Sequence, residues 1–141
     1  MHTCPITAEI CAIFRYMLAL GGLFIVSGCS GNSTPESFIP QEASAREALN
    51  QALEAWRGGQ EKPGRILGVS PTIEAVDSVW SEGKKLKQFE ILQETTVEGR
   101  RQFTVKLTLD GAEPESVNYV VIGKDPLLVF RESDYEKMSG E

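Results

Sequence analysis

The chain has 141 residues, 24% of them charged, with a formal net charge of −6. That length supports one domain around one modest core. An acidic surface repels phosphate backbones, which argues against a general nucleic-acid-binding role.

The first landmark is an apolar run from Tyr16 to Val26, with Arg15 before it and the small residues Ser27-Gly28 and Cys29 after it. A secretory signal needs a basic start, an apolar middle of roughly 7–15 residues and small residues at the cut. The run meets all three, although Cys4, Pro5, Glu9 and Cys11 are unusual so early in such a segment. A start at Met17 would leave no basic side chain, so Met1 is the better start. A spanning helix needs about 20 apolar residues, and Arg15 and the polar run from Ser27 leave far fewer. Val26-Ser27-Gly28-Cys29 resembles the lipobox of bacterial lipoproteins. The resemblance implies a signal peptide over 1–28, a diacylglyceryl group on Cys29 and acylation of the new amino terminus with a palmitate-type chain. Attachment to the membrane would then run through the acyl chains on Cys29, since two or more chains hold stably where one does not. Ser30, in place of an aspartate beside Cys29, implies by resemblance to lipoproteins of two-membrane envelopes an outer-membrane protein facing the periplasm.

Cleavage there has chemical consequences. His2, Cys4 and Cys11 leave with the signal, and Cys29 is lipidated. Arg15 and Glu9 leave together, so the charge stays at −6. The mature chain would hold no imidazole, no free thiol and no internal disulfide. Ser–His–Asp and Cys–His catalysis are thereby excluded, as are zinc sites built on His or Cys. No phosphate-cradling GxxxxGK[ST] or GxGxxG loop occurs. The expectation is a chain that is not an enzyme and has no catalytic, cofactor-binding or metal residues, leaving Cys29 as its one assigned site.

Residues 29–43 read as a flexible tether, rich in Ser, Gly and Pro with one apolar pair at Phe38-Ile39. Its reach is about 45–50 Å at 3.3–3.6 Å per residue. Phe38-Ile39 is either docked on the domain or solvated. A folded domain follows over 44–132. Ser44-Ala45-Arg46-Glu47 has the form of a capping box. Ala45, Ala48, Leu49, Ala52, Leu53 and Trp56 then fall on one helical face, and Gly58-Gly59 ends it. The small alanines imply close approach to a sheet.

Gln60 to Thr72 reads as connection. Ile73 to Trp80 suits either a helix face or a short strand, with β-branched residues and Pro71 favouring the strand. From Lys85 the pattern is β. Lys87, Phe89, Ile91 and Gln93 alternate with Gln88, Glu90, Leu92 and Glu94, and Glu98-Gly99 turns the chain. Phe103, Val105, Leu107 and Leu109 alternate with polar residues. Val117 to Ile122 and Leu127 to Phe130 read as further strands, and 133–141 as a polar tail. The sum is an α+β domain with one N-terminal amphipathic helix packed on an antiparallel β-meander of three to four strands. Element order over Ser44 to Glu132 is similar to cystatin-like and NTF2-like folds. Trp80-Ser81-Glu82-Gly83-Lys84-Lys85-Leu86 and Tyr119-Val120-Val121-Ile122-Gly123-Lys124-Asp125-Pro126 resemble small lipoproteins of planctomycete-type bacteria, which implies an envelope location and no particular activity.

Few residues stand out as sites. Lys84, Lys85 and Lys87 are the densest basic cluster, with Arg100-Arg101 next. In a hairpin the two groups lie at opposite ends, so the lysines read best as a solvated, aggregation-resistant edge. Trp56 and Trp80 are candidates for a ligand pocket but suit plain packing better. Glu113, Glu115, Asp134 and Glu136 lack calcium-loop spacing. Glu90 and Glu94 fall opposite Phe89 and Ile91 and are expected to face solvent, against the carboxylate base that an NTF2-like enzyme would need. Two functions remain: a lipid-anchored, non-catalytic envelope module with a structural or binding role toward an unknown envelope protein or component, or a binder or enzyme for a small apolar molecule.

Overall fold

The computed structural model describes residues 39–140. The signal segment, the lipobox with Cys29, and Phe38 lie outside the described residues. The elements run α1 (Glu42–Arg57), β1 (Arg65–Ile66), β2 (Ile73–Val76), α2 (Ser78–Ser81), β3 (Leu86–Val97), β4 (Arg100–Leu109), β5 (Glu115–Gly123), β6 (Leu127–Arg131) and α3 (Glu132–Ser139). The fold is α+β around a mixed six-stranded sheet in the order β1-β2-β6-β5-β4-β3. Among the described residues, no helix is long and apolar enough to cross a membrane.

The sheet differs from the simple meander expected. Strands β3 to β6 do run antiparallel in succession, but β2 joins β6 in parallel, with Ile73 opposite Leu127 and Val76 opposite Phe130. The Leu127 N–H donates to Thr72 O at 2.8 Å at the start of this pairing. Ile73 to Trp80 divides between the two readings open to it. Residues 73–76 are strand, and Asp77 then caps the turn α2 by accepting the Trp80 N–H on Oδ1 at 3.0 Å.

Helix α1 starts before the expected capping box. Its first i→i−4 bond runs from Ala45 N to Gln41 O at 2.9 Å, and no side chain caps it. Ser44 therefore sits inside the helix, and Glu47 accepts from Gln51 Nε2 instead. Glu42 in the first turn and Arg57 in the last suit the helix dipole. The end of the tether is held: Pro40 is buried, Ile39 is half-buried and lies against Gly99, and Arg101 Nε donates to Pro40 O at 3.3 Å. The polar stretch after β6 is also not a tail. It forms α3, where acidic Glu132 and Asp134 open the first turn and Tyr135 packs edge-on against Phe130, 5.6 Å between centroids.

The core lies between α1 and one face of the sheet. Ala45, Ala48, Leu49 and Ala52 bury against Phe103, Val105, Leu107 and Val121, all essentially inaccessible. Small alanines let the helix axis approach the sheet closely, and Leu49 and Leu53 fill the remaining space. The β3–β4 turn uses Glu98 and Gly99 with φ of 48° and 76°, the left-handed pair that a tight hairpin requires.

Candidate functional site

Trp56 ends the buried face of α1, and Trp80 is the buried residue of α2. Their rings stack with centroids 5.3 Å apart and planes 9° apart. Both indole N–H groups are engaged: Trp56 Nε1 donates to Lys84 O at 2.7 Å and Trp80 Nε1 to Gln60 O at 2.8 Å. Each bond ties a helix end to the loop beyond the other helix, so the two tryptophans clamp residues 60 and 84 together. The expectation of packing is met, yet Trp56 also lies at the floor of a surface cleft of about 630 Å³.

The cleft is basic. Arg57, Lys62, Lys84, Lys85 and Lys87 line it against two acidic side chains, Glu61 and Asp110. Lys87 pairs with Asp110 at 2.7 Å. Hydrogen bonding and charge from Lys87 hold the Asp110 carboxyl below its usual range. Arg57 pairs with Glu54 at 2.6 Å and lies over the Phe89 ring. Among the described residues, Lys62, Lys84 and Lys85 form no salt bridge, so three ammonium groups stand at the rim of an acidic protein. The lysine run and the Arg100-Arg101 pair do lie at opposite ends of the hairpin, since Leu86 faces Leu109 and Val97 faces Arg100. What the sequence pattern did not supply was Lys62, brought to the lysine run by the two indole clamps.

The arginine pair splits between faces. Arg100 lies over the Tyr135 ring on the outer face, 4.9 Å from its centroid, and pairs with Glu98. It borders a second groove of about 390 Å³ between the sheet and α3. There the polar groups satisfy one another: Gln102 and Asn118 donate to the two oxygens of Glu132, and the Thr104 hydroxyl donates to Asn118. Little is left there for a ligand to pair with.

Glu94 corrects the reading of β3. Register slips between Ile91 and Gln93, leaving Leu92 as an extra residue, and the alternation changes phase. Glu90 stays outside opposite Lys106, but Glu94 comes opposite Phe103 and therefore joins the face that α1 covers. Its side chain is 11% exposed, with Arg46 Nη1 at 3.6 Å and Arg101 Nη1 at 3.8 Å, both beyond hydrogen-bond reach. Neither carboxylate oxygen has a hydrogen-bond partner. Burial and the nearby Glu42 charge raise its pKa, and the two arginines only partly offset that.

A second buried carboxylate also escaped the sequence pattern. Asp77, 2% exposed, accepts the Tyr119 hydroxyl at 2.5 Å and Arg131 Nε at 3.3 Å. Burial, then the Asp77 charge, pushes the Tyr119 pKa well above its ordinary value. Arg131 Nη2 reaches toward Glu115 Oε1 at 3.6 Å. Asp134 is engaged elsewhere, accepting the Ser78 N–H at 2.7 Å and pairing with Lys137 at 3.3 Å. Burial works against its charge, but the hydrogen bonds from Ser78 and then Lys137 outweigh it and lower its pKa. Glu136 borders the outer groove. Among the described residues, no three His, Cys, Asp or Glu side chains gather as a metal would need.

The cleft can hold an anion by charge, with an apolar floor beneath it. No family model, no curated protein and no solved structure matches this chain.

Proposed function

We propose that this chain is a lipid-anchored envelope lipoprotein whose small, non-catalytic domain presents the basic cleft to an anionic component of the cell envelope. The anchoring part rests on Val26-Ser27-Gly28-Cys29 and the apolar run before it. The binding part rests on one observation: an acidic domain gathers Lys62, Lys84 and Lys85, without salt-bridge partners among the described residues, around a concave floor. A solvated edge accounts for Lys84 and Lys85 beside the edge strand β3, but not for Lys62, which a separate segment brings to the same cleft. Attachment through acyl chains leaves the domain's surface free to meet its partner, and the overall negative charge keeps it off anionic lipid.

A second reading, a binder or enzyme for a small apolar molecule, draws support from Glu94, the inward carboxylate with a raised pKa. It is the weaker of the two, because Glu94 lies under α1 between two arginines while the large cleft is floored by Trp56 and rimmed by lysine. Labelling cells with an alkynyl fatty acid tests the anchor. Wild type should carry the label and fractionate with membranes, and Cys29→Ala should do neither. Equal labelling of the variant would overturn the anchored reading.

A further inference from the structure

Where the tether joins the domain, an arginine of the sheet holds the backbone. Pro40 is buried, and Arg101 Nε donates to its carbonyl oxygen at 3.3 Å. Ala45 N–H then donates to Gln41 O and begins α1. Arg101 Nη1 donates to the Thr96 hydroxyl at 3.1 Å and stands 3.8 Å from Glu94 Oε1. The same guanidinium therefore bonds the Pro40 carbonyl and stops short of the carboxylate. Glu94 is left with both oxygens buried and without a hydrogen-bond partner, an arrangement that a charged carboxylate resists. The charged groups around it are Glu42 and Arg46 from α1 and Arg101 from β4.

Opening of residues 39–45 changes those surroundings unequally. Glu42, in the first turn, leaves with its repulsion, and water reaches the carboxylate. Arg46, one turn further along α1, stays in place, and Arg101, freed from Pro40, closes on Glu94. A proton on Glu94 removes this drive, because a neutral carboxyl costs less to bury and no longer draws the guanidinium. We propose that Glu94 and Arg101 form a pH-responsive clip on the tether junction, closed while Glu94 carries a proton and loosened once it is charged. Burial first, and then Glu42, raises the Glu94 pKa in the closed form. Opening returns it toward the ordinary carboxylate value. The hold from this group is therefore complete below that ordinary value and is lost as pH rises through the raised one. Each released residue adds up to about 3.3–3.6 Å of free chain. On the lipid-anchored reading, the clip then sets how far the domain reaches from its membrane.

Hydrogen exchange of the full chain in non-ionic detergent tests it, read by mass spectrometry and corrected for the intrinsic rate at each pH. Protection over 42–48 should fall about threefold or more between about pH 4 and about pH 7. Low urea should leave exchange over 42–48 unchanged while speeding it over 50–57, the half of α1 that the Trp56 clamp holds. Glu94→Gln should keep the acid-level protection at both pH values, and Arg101→Ala should be less protected than wild type at about pH 4. Wild-type protection that does not change with pH overturns the clip, as does an equal change in Glu94→Gln. Exchange over 42–48 that speeds with urea as 50–57 does also overturns it, because no local opening then exists. Equal protection of Arg101→Ala and wild type in acid would overturn the part assigned to the arginine. The readout does not involve Cys29, so failure here is distinct from failure of the anchored reading.

Discussion

Glu94 stands directly opposite Phe103 in the β3–β4 hairpin, so a carboxylate and a fully buried ring share one face of the sheet. One extra residue, Leu92, causes this. The consequence is measurable through linkage. Glu94 has a raised pKa in the folded chain, so over the window above the ordinary carboxylate value the folded state holds a proton that the unfolded state releases. Stability from this group therefore falls as pH rises through that window, and the charged carboxylate weakens the fold at neutral pH. Glu94→Gln should be more stable than wild type at pH 7, with the difference vanishing below about pH 4. Urea midpoints across pH check this. A variant weaker than wild type at pH 7 would mean that the Arg46 and Arg101 attractions outweigh burial.

The Trp56–Trp80 stack should dominate the local energetics of α1. Trp56→Ala should cost on the order of 3–5 kcal/mol, a large share of the 5–15 kcal/mol typical of a domain. The Trp56→Ala, Trp80→Ala double variant should cost less than the two singles together, because the rings share one contact and one clamp. Strict additivity in urea unfolding would show that the two rings act independently.

Asp77 gives a graded test of a buried network. Asp77→Asn removes the charge facing Arg131 and should cost roughly 3–5 kcal/mol. Tyr119→Phe removes one hydrogen bond to that charge and should cost about 1.5–3 kcal/mol. Chemical unfolding of both variants should give that order, and the reverse order would place the strain on the tyrosine pocket instead.

Much of the fold was legible because α1 and β4 each show one clean period. The alanine and leucine positions of α1 and Phe103, Val105 and Leu107 of β4 are the core. Three things were not legible, each for a physical reason. The parallel β2–β6 pairing joins segments some fifty residues apart in the chain, and a four-residue strand carries no signal of its partner or direction. The bulge at Leu92 leaves no mark on composition, yet it reverses the face of the residues after it, Gln93 and Glu94 among them. The α3 helix is short and polar and holds its place through Tyr135 on Phe130 and the Asp134–Ser78 bond, contacts between distant elements. The cleft was half legible. Lys84, Lys85 and Lys87 were visible as a run, but their convergence with Lys62 depends on two indole hydrogen bonds that no local pattern announces.

Tight turns supply one more check. Gly123 has φ of 83°, and a Cβ there would stand 2.6 Å from Pro126 O. Gly123→Ala should therefore lower stability by more than about 1 kcal/mol, read as a drop in the urea midpoint. An unchanged midpoint would show that the β5–β6 turn opens without cost to the sheet.

The anchored reading is tested most directly by the intact mass of the chain extracted from membranes, followed by sequencing of its first peptide. The expected species begins at Cys29 and carries a diacylglyceryl group on sulfur and an acyl chain on the new amino group. A chain that begins at Met1, or one that begins at Cys29 with an unmodified thiol, would contradict it.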